Sequence, residues 1–240
     1  MRMRHKPNLE PRMEKCAAVQ ILEPKNLKGG WRAEFSAYKQ LWLEIGCGKG
    51  RFTAGTAEAN PDNLLLAVEK VPDAMVIGME LVCGKGIENV RFMDIDALEL
   101  REMFEQGEVD RIFLNFCDPW PKSRDAKHRL TAPGFLRSYA DILPDGGEIH
   151  FKTDNRPLFD WSVEQFELEG WTLREVTNDL HAKGAVGIMT DYEAKFHAQG
   201  IPINRLVAVK TDGTKSGKDG VPPRLYDSAL SDARGKDQQP

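Results

Sequence analysis

The sequence predicts a single doubly wound α/β domain, and three observations predict it. Aliphatic and β-branched runs alternate with helical stretches from about residue 40 to about residue 210, the pattern of a parallel α/β sheet. Strands of such a sheet are covered on both faces, so runs that are apolar for most of their length are expected, as in Leu64-Leu-Leu-Ala-Val68. The first run also breaks into Gly46-Cys47-Gly48-Lys49-Gly50, a glycine turn that lets the backbone bend sharply and approach a ligand closely. With 240 residues and ordinary apolar and charged fractions, the chain can bury one substantial core.

The first strand is expected over Leu41 to Ile45, and a helix from Phe52 to Ala59 is stopped by Asn60-Pro61. The second strand, Leu64 to Glu69, leads to a helix over Ala74 to Val82. A third strand, Asn89 to Met93, precedes a helix over Ala97 to Glu105. Arg111 to Cys117 makes a fourth strand, closed by Asp118-Pro119-Trp120-Pro121 because proline fixes φ and removes a ladder donor. Lys122 to Leu130 is polar, basic and too irregular for either period, so a functional loop is expected. A helix from Pro133 to Leu143 runs through Pro144-Asp145-Gly146-Gly147 into a fifth strand, Glu148 to Thr153. A helix over Leu158 to Glu169 and a strand over Trp171 to Val176 follow. After the glycine-containing stretch His181 to Met189, a short helical segment spans Tyr192 to Ala198, and Asn204 to Lys210 closes the sheet. Residues 1–39 are read as a basic N-terminal extension and residues 211–240, poor in large apolar side chains, as a disordered tail.

A formal net charge of −4 argues against indiscriminate coating of nucleic acid, which needs clustered Lys and Arg. Two local basic clusters remain: Arg2, Arg4, Lys6, Arg12 and Lys15, for which a solvated tail is an equal reading, and Lys122, Arg124, Lys127 and Arg129 with His128. The four cysteines lie far apart with no C-x-x-C pair, giving neither a disulfide framework nor a metal-site spacing. The basic start is followed by charged residues instead of an apolar core, unlike a secretory signal. No apolar run approaches the roughly 18 residues needed to cross a bilayer. A cytoplasmic, membrane-free location is therefore expected.

The glycine turn alone is a weak signal, but its G-x-G-x-G spacing differs from the G-x-G-x-x-G of dinucleotide binders. Glu44 before it, Glu69 ending the second strand and Asp96 after the third all lie at carboxyl ends of successive strands, where an open parallel sheet forms its ligand crevice. Glu69 is suited to accept from ribose hydroxyls. Asp96 is suited to accept from an adenine amine, or simply to cap the following helix.

Asn115-Phe-Cys-Asp-Pro-Trp-Pro-Lys122 is the most specific stretch. A rigid turn there fixes a carboxylate and an aromatic ring at a strand end. Together with Leu43-Glu-Ile-Gly-Cys-Gly-Lys-Gly50, Glu69, Asp96-Ala97, Arg129-Leu130, Phe151-Lys-Thr-Asp154 and Thr190-Asp-Tyr-Glu193, it resembles the bacterial tRNA (guanine-N7)-methyltransferase family. The matches run in order through nearly all of residues 40 to 210. The resemblance implies a Rossmann-like, mostly parallel seven-stranded sheet and methyl transfer from S-adenosylmethionine to N7 of a guanine, the variable-loop guanine at tRNA position 46. It implies cofactor contacts at Glu44, Gly46, Glu69, Asp96 and Asp118, with Asp118 as the catalytic candidate. Contacts to tRNA or guanine are implied at Lys122, Asp154, Thr190, Asp191, Tyr192 and Glu193. Cys117 stands where the family usually carries Ser, which touches at most a supporting hydrogen bond.

The chemistry agrees with that implication. Guanine N7 carries an in-plane lone pair and no proton, so positioning should dominate over general-base catalysis. Asp118, Asp154 and Glu193 are suited to accept from guanine N1–H and N2–H₂ and to stabilise the growing positive charge. Trp120 is placed either to stack on the base or to lock the turn. Arg124, Lys127, His128 and Arg129 leave the turn directly and are read as contacts to the RNA backbone. The rival readings are a methyltransferase acting on another RNA or a small molecule, and a tRNA-binding protein without catalysis.

Overall fold

The computed structural model describes residues 7–217. Before the sheet come a short helix α1 (Leu9–Lys15), two 3₁₀ turns and α2 (Trp31–Glu34). The alternating region follows as β1 (Gln40–Ile45), α3 (Arg51–Ala59), β2 (Asn63–Val68), α4 (Pro72–Lys85), β3 (Val90–Met93), α5 (Leu100–Met103) and β4 (Arg111–Asn115). The second half carries α6 (Pro133–Ile142), β5 (Glu148–Thr153), α7 (Arg156–Leu168), β6 (Thr172–Thr177), α8 (Asp191–Ala198) and β7 (Asn204–Val209). The seven strands form one sheet in the order β3-β2-β1-β4-β5-β7-β6. Its first five positions are parallel, and β7 runs antiparallel to both β5 and β6.

Strand alternation divides the interior into two layers. Leu41, Leu43 and Ile45 of β1, Ile112 and Leu114 of β4 and Ile149 and Phe151 of β5 join Leu100, Leu136, Tyr139, Leu158 and Phe159 from the helices on one face. Trp42, Leu65, Ala67 and Phe113 face the other way against Phe52, Ala57, Met75 and Met79 of α3 and α4. Those two helices meet at glycines: a Cβ on Gly50 would lie 2.7 Å from the Gly78 Cα. The strand order reverses direction at β1 and β4, so the crevice opens above their carboxyl ends.

The expected elements appear with small boundary shifts, and two differ in kind. The helix expected over Ala97 to Glu105 is a 3₁₀ turn, Ala97–Glu99, followed by the single turn α5. The loop after β4 contains a 3₁₀ segment, Ser123–His128. The start of the packed unit also lies earlier than residue 40. Trp31 is fully buried, its indole donating to Met103 O at 2.7 Å, and Ile21 N donates to Phe92 O at 2.9 Å along the β3 edge. The Trp31 ring packs on Phe104 with centroids 4.9 Å apart. In the basic start, Arg12 is paired with Glu80 of α4 at 2.6 Å, while Arg2, Arg4 and Lys6 lie outside the described residues. Of the segment read as a tail, residues 211–217 bond back onto the domain through Lys215 N to Glu169 O and Gly217 N to Asp141, and residues 218–240 lie outside the described residues.

Candidate functional site

A cavity of about 300 Å³ lies over the carboxyl ends of β1, β2, β3 and β4, at the lower end of the usual size for small-molecule sites. Gly46, Glu69, Asp96 and Asp118, taken from four separate loops, all line it, with Trp120 and His128 as further lining and Ile95, Leu98, Leu130 and Phe135 as apolar wall. Gly46, Gly48 and Gly50 all have positive φ, a conformation L side chains rarely adopt, so this turn needs glycine.

Glu69 ties the turn to the next helix: its carboxylate accepts from Gly48 N and Val71 N, each at 3.0 Å. Burial raises the Glu69 pKa above the ordinary carboxyl value, and those two N–H groups oppose the rise. Asp96 caps the 3₁₀ turn by accepting from Leu98 N at 3.0 Å, and it also lines the cavity.

Glu44 is placed differently from its neighbours in the set. It points to the α3 side of the sheet, 1% exposed, and accepts from the Thr53 hydroxyl at 2.6 Å and the Asn115 amide at 3.3 Å. Burial raises its pKa to about 7, against the pull of Thr53, Asn115 and Lys152. It stands behind the cavity wall, and the residue reaching the cavity in its stead is Asn115. Asn115 is 8% exposed and its Oδ1 is buried with no partner.

The Asp118-Pro-Trp-Pro turn follows Phe116 and Cys117, and both Phe116 and Trp120 have positive φ, 53° and 41°. Bulky residues held there mark a turn that its surroundings over-determine. Asp118 is exposed on the cavity rim. The Trp120 ring leans on His128 with centroids 5.3 Å apart, so locking and stacking are both open to it. Burial, then the Asp118 charge, pushes the Cys117 thiol up to about 12, which keeps it protonated and packed against the core.

The remaining expected contacts divide. Lys122, Arg124 and Lys127 are exposed beside the cavity mouth. Arg129 is not among them: it donates to Pro119 O and Trp120 O, both at 3.0 Å, and lies over the Trp161 ring. Asp154 is exposed just beyond β5. Thr190 caps α8 by accepting from Glu193 N at 3.0 Å, Asp191 pairs with Arg51 at 3.4 Å, and Tyr192 is 61% exposed. Glu193, expected as a guanine acceptor, is instead fully buried with both oxygens taken, by Lys152 Nζ at 2.6 Å and His181 Nε2 at 3.0 Å. Its charge is spent on the buried Lys152, whose own pKa burial lowers. Of the buried polar partners that the sequence reading does not single out, Asn115 lines the cavity, whereas Lys152 and His181 pair with Glu193 outside its lining. Lys152 inside the strand Glu148–Thr153 is the signal for the Glu193 cluster, since buried lysines need a partner.

A family model described as "Putative methyltransferase" matches residues 38–206. A tRNA (guanine-N(7)-)-methyltransferase of Bacillus velezensis is 44% identical over 206 residues, covering 85% of this chain and 95% of that protein. One from Listeria monocytogenes serotype 4b is 44% identical over 209 residues, covering 87% of this chain and 98% of the relative. The chain belongs to the tRNA (guanine-N7)-methyltransferase family. Among solved structures, the methyltransferase resembles the 16S rRNA methyltransferase KamB, with a TM-score of 0.60, 18% identity and coverage of 76% of this chain and 93% of that one. It also resembles TrmN from Thermus thermophilus, with a TM-score of 0.52, 22% identity and coverage of 78% and 48%. At these identities the likeness shows the fold, a Rossmann-like methyltransferase sheet. No described helix is long and apolar enough to cross a membrane.

Proposed function

We propose that this methyltransferase moves the methyl group of S-adenosylmethionine to N7 of a guanine in cytoplasmic tRNA, the variable-loop guanine at tRNA position 46. The observation that carries the reading is one cavity lined jointly by the glycine turn, Glu69, Asp96 and the Asp118 turn. The residues present fit the cofactor. Glu69 and Asp96 are acceptors for ribose hydroxyls and an adenine amine, and the orphaned Asn115 Oδ1 is an acceptor for a ligand N–H such as an ammonium. Gly46, with open space where a Cβ would stand, lets a ligand approach the backbone.

When bound, the cofactor supplies an electrophilic sulfonium methyl. The protein's own part is positioning and charge. Asp118 holds a carboxylate at the rim, able to accept from guanine N1–H and N2–H₂ and to offset charge growing on the purine. Asp154, exposed at the end of the adjacent strand, is a second acceptor for the same base. Neither needs to remove a proton, because N7 has none. Lys122, Arg124 and Lys127 form the basic rim that a folded RNA would meet through its phosphates. Asp191 and Tyr192, exposed at the start of α8, and the Thr190 cap before them form a second rim.

The test is incubation with tRNA and S-adenosylmethionine followed by mass spectrometry of the nucleosides. 7-Methylguanosine is expected, and a different methylated nucleoside, or none, overturns the reading.

A further inference from the structure

We infer that Arg129 is a positioning residue for the proposed transfer, clamping the Asp118-Pro119-Trp120 turn in its strained conformation, and that it is not a contact to RNA phosphate. The inference rests on the functional reading above only for the reaction it serves. Its basis is geometric. Trp120 is a bulky residue at φ 41°, immediately before Pro121, where sterics drive a chain toward extended backbone. Such a conformation persists only if neighbours hold it.

Arg129 supplies the hold. Its Nε donates to Pro119 O and its Nη2 to Trp120 O, each at 3.0 Å, so one planar fork spans two successive carbonyls of the turn. The guanidinium carbon lies 4.4 Å from the centroid of the Trp161 ring of α7, which anchors the fork to a helix. Asp118 and Trp120, on either side of Pro119, both line the cavity. Two donors and one face of the guanidinium are thus committed to the protein, unlike the exposed Lys122, Arg124 and Lys127. A lysine keeps the charge but cannot span two carbonyls or stack as a plane.

The experiment compares Arg129→Lys, Arg129→Ala and Trp161→Leu with wild type. It reads single-turnover methyl transfer at saturating tRNA, tRNA affinity across a salt series, and calorimetric binding of S-adenosylhomocysteine. The wild-type product checks the functional reading independently, and S-adenosylhomocysteine binding reports the clamp even without turnover. Arg129→Lys is expected to lose tenfold or more in transfer rate and several-fold in S-adenosylhomocysteine affinity. Its tRNA affinity and salt slope should stay at wild-type values. Trp161→Leu should move both readouts in the same direction by less, and guanidinium ion should partly restore Arg129→Ala. If Arg129→Ala does not fold, the other two variants still decide. The inference is overturned if Arg129→Lys transfers at the wild-type rate while Arg129→Ala loses about one unit of log–log salt slope, the mark of a bound phosphate. It is equally overturned if Arg129→Lys and Trp161→Leu match wild type in rate and ligand affinity.

Discussion

The Asn115 side-chain amide donates to the buried Glu44 carboxylate at 3.3 Å, while its Oδ1 is buried with no partner in a residue that lines the cavity. A buried acceptor without a donor costs about 1–3 kcal/mol, and a bound ligand that donates to it recovers that cost. Asn115→Ala is therefore expected to weaken S-adenosylmethionine binding by about 1–3 kcal/mol in calorimetry. An unchanged affinity would remove Asn115 from the ligand-binding residues.

The same pair sets a pH dependence. Glu44 has a folded-state pKa near 7, above its ordinary 4.5, chiefly through burial. The folded protein therefore binds this proton more tightly than the unfolded chain. The resulting stabilisation is full below pH 4.5 and is lost as pH rises to about 7, in total roughly 3 kcal/mol. Glu44→Gln does not titrate. In urea unfolding across a pH series, wild type should lose stability relative to Glu44→Gln between those limits and run parallel to it above them. A constant difference throughout would show that Glu44 titrates alike in the folded and unfolded chain.

The exposed basic rim yields a separable effect. Neutralising Lys122, Arg124 and Lys127 together, with Arg129 left intact, should weaken tRNA binding and reduce the salt slope by about 0.7–0.9 for each phosphate no longer neutralised. S-adenosylmethionine affinity should not change, since none of the three lines the cavity. Wild-type affinity and slope in the triple variant would mean that this rim is only solvated surface.

Charge at the target base is tested by Asp118→Asn and Asp154→Asn, which keep shape but present donors to donors. Each should lower kcat/KM by tenfold to a thousandfold, about 1.4–4 kcal/mol. Asp154→Asn should leave cofactor affinity intact because Asp154 is away from the cavity lining, whereas Asp118→Asn should lose some. Methyl transfer by either variant at the wild-type rate would exclude that carboxylate from the mechanism.

Most of the fold was legible in the sequence. Residues 41–45, 64–68 and 112–114 are buried on both faces, so all but Glu44 are apolar, and prolines or glycines follow where each run stops. The helix expected over Ala97 to Glu105 is less legible because its core contacts, Ala97, Leu100, Met103 and Phe104, do not span a regular helix, and the turn at its start is fixed by the Asp96 cap. The packing of Trp31 is not legible at all, for its partners are Met103, Phe104 and Glu108, more than 70 positions away.

By itself the sequence determined the sheet, the glycine turn and the location of Glu69, Asp96 and Asp118 at strand carboxyl ends, since each follows from local period and local breakers. Tertiary structure alone decided which polar side chains face the cavity. Glu44 and Glu193 carry the same chemistry as Glu69, yet Thr53 and Asn115 claim one, and Lys152 and His181 claim the other. Arg129 reads as basic surface until Trp161 of a later helix and two strained carbonyls turn it inward. The physical reason is common to all three: a charged group enters the interior only where specific partners meet it. The partners of Glu193 and the Trp161 ring come from other elements of the chain, and even nearby Thr53 and Pro119 reach their charges only through the strand's pleat and the turn's bend.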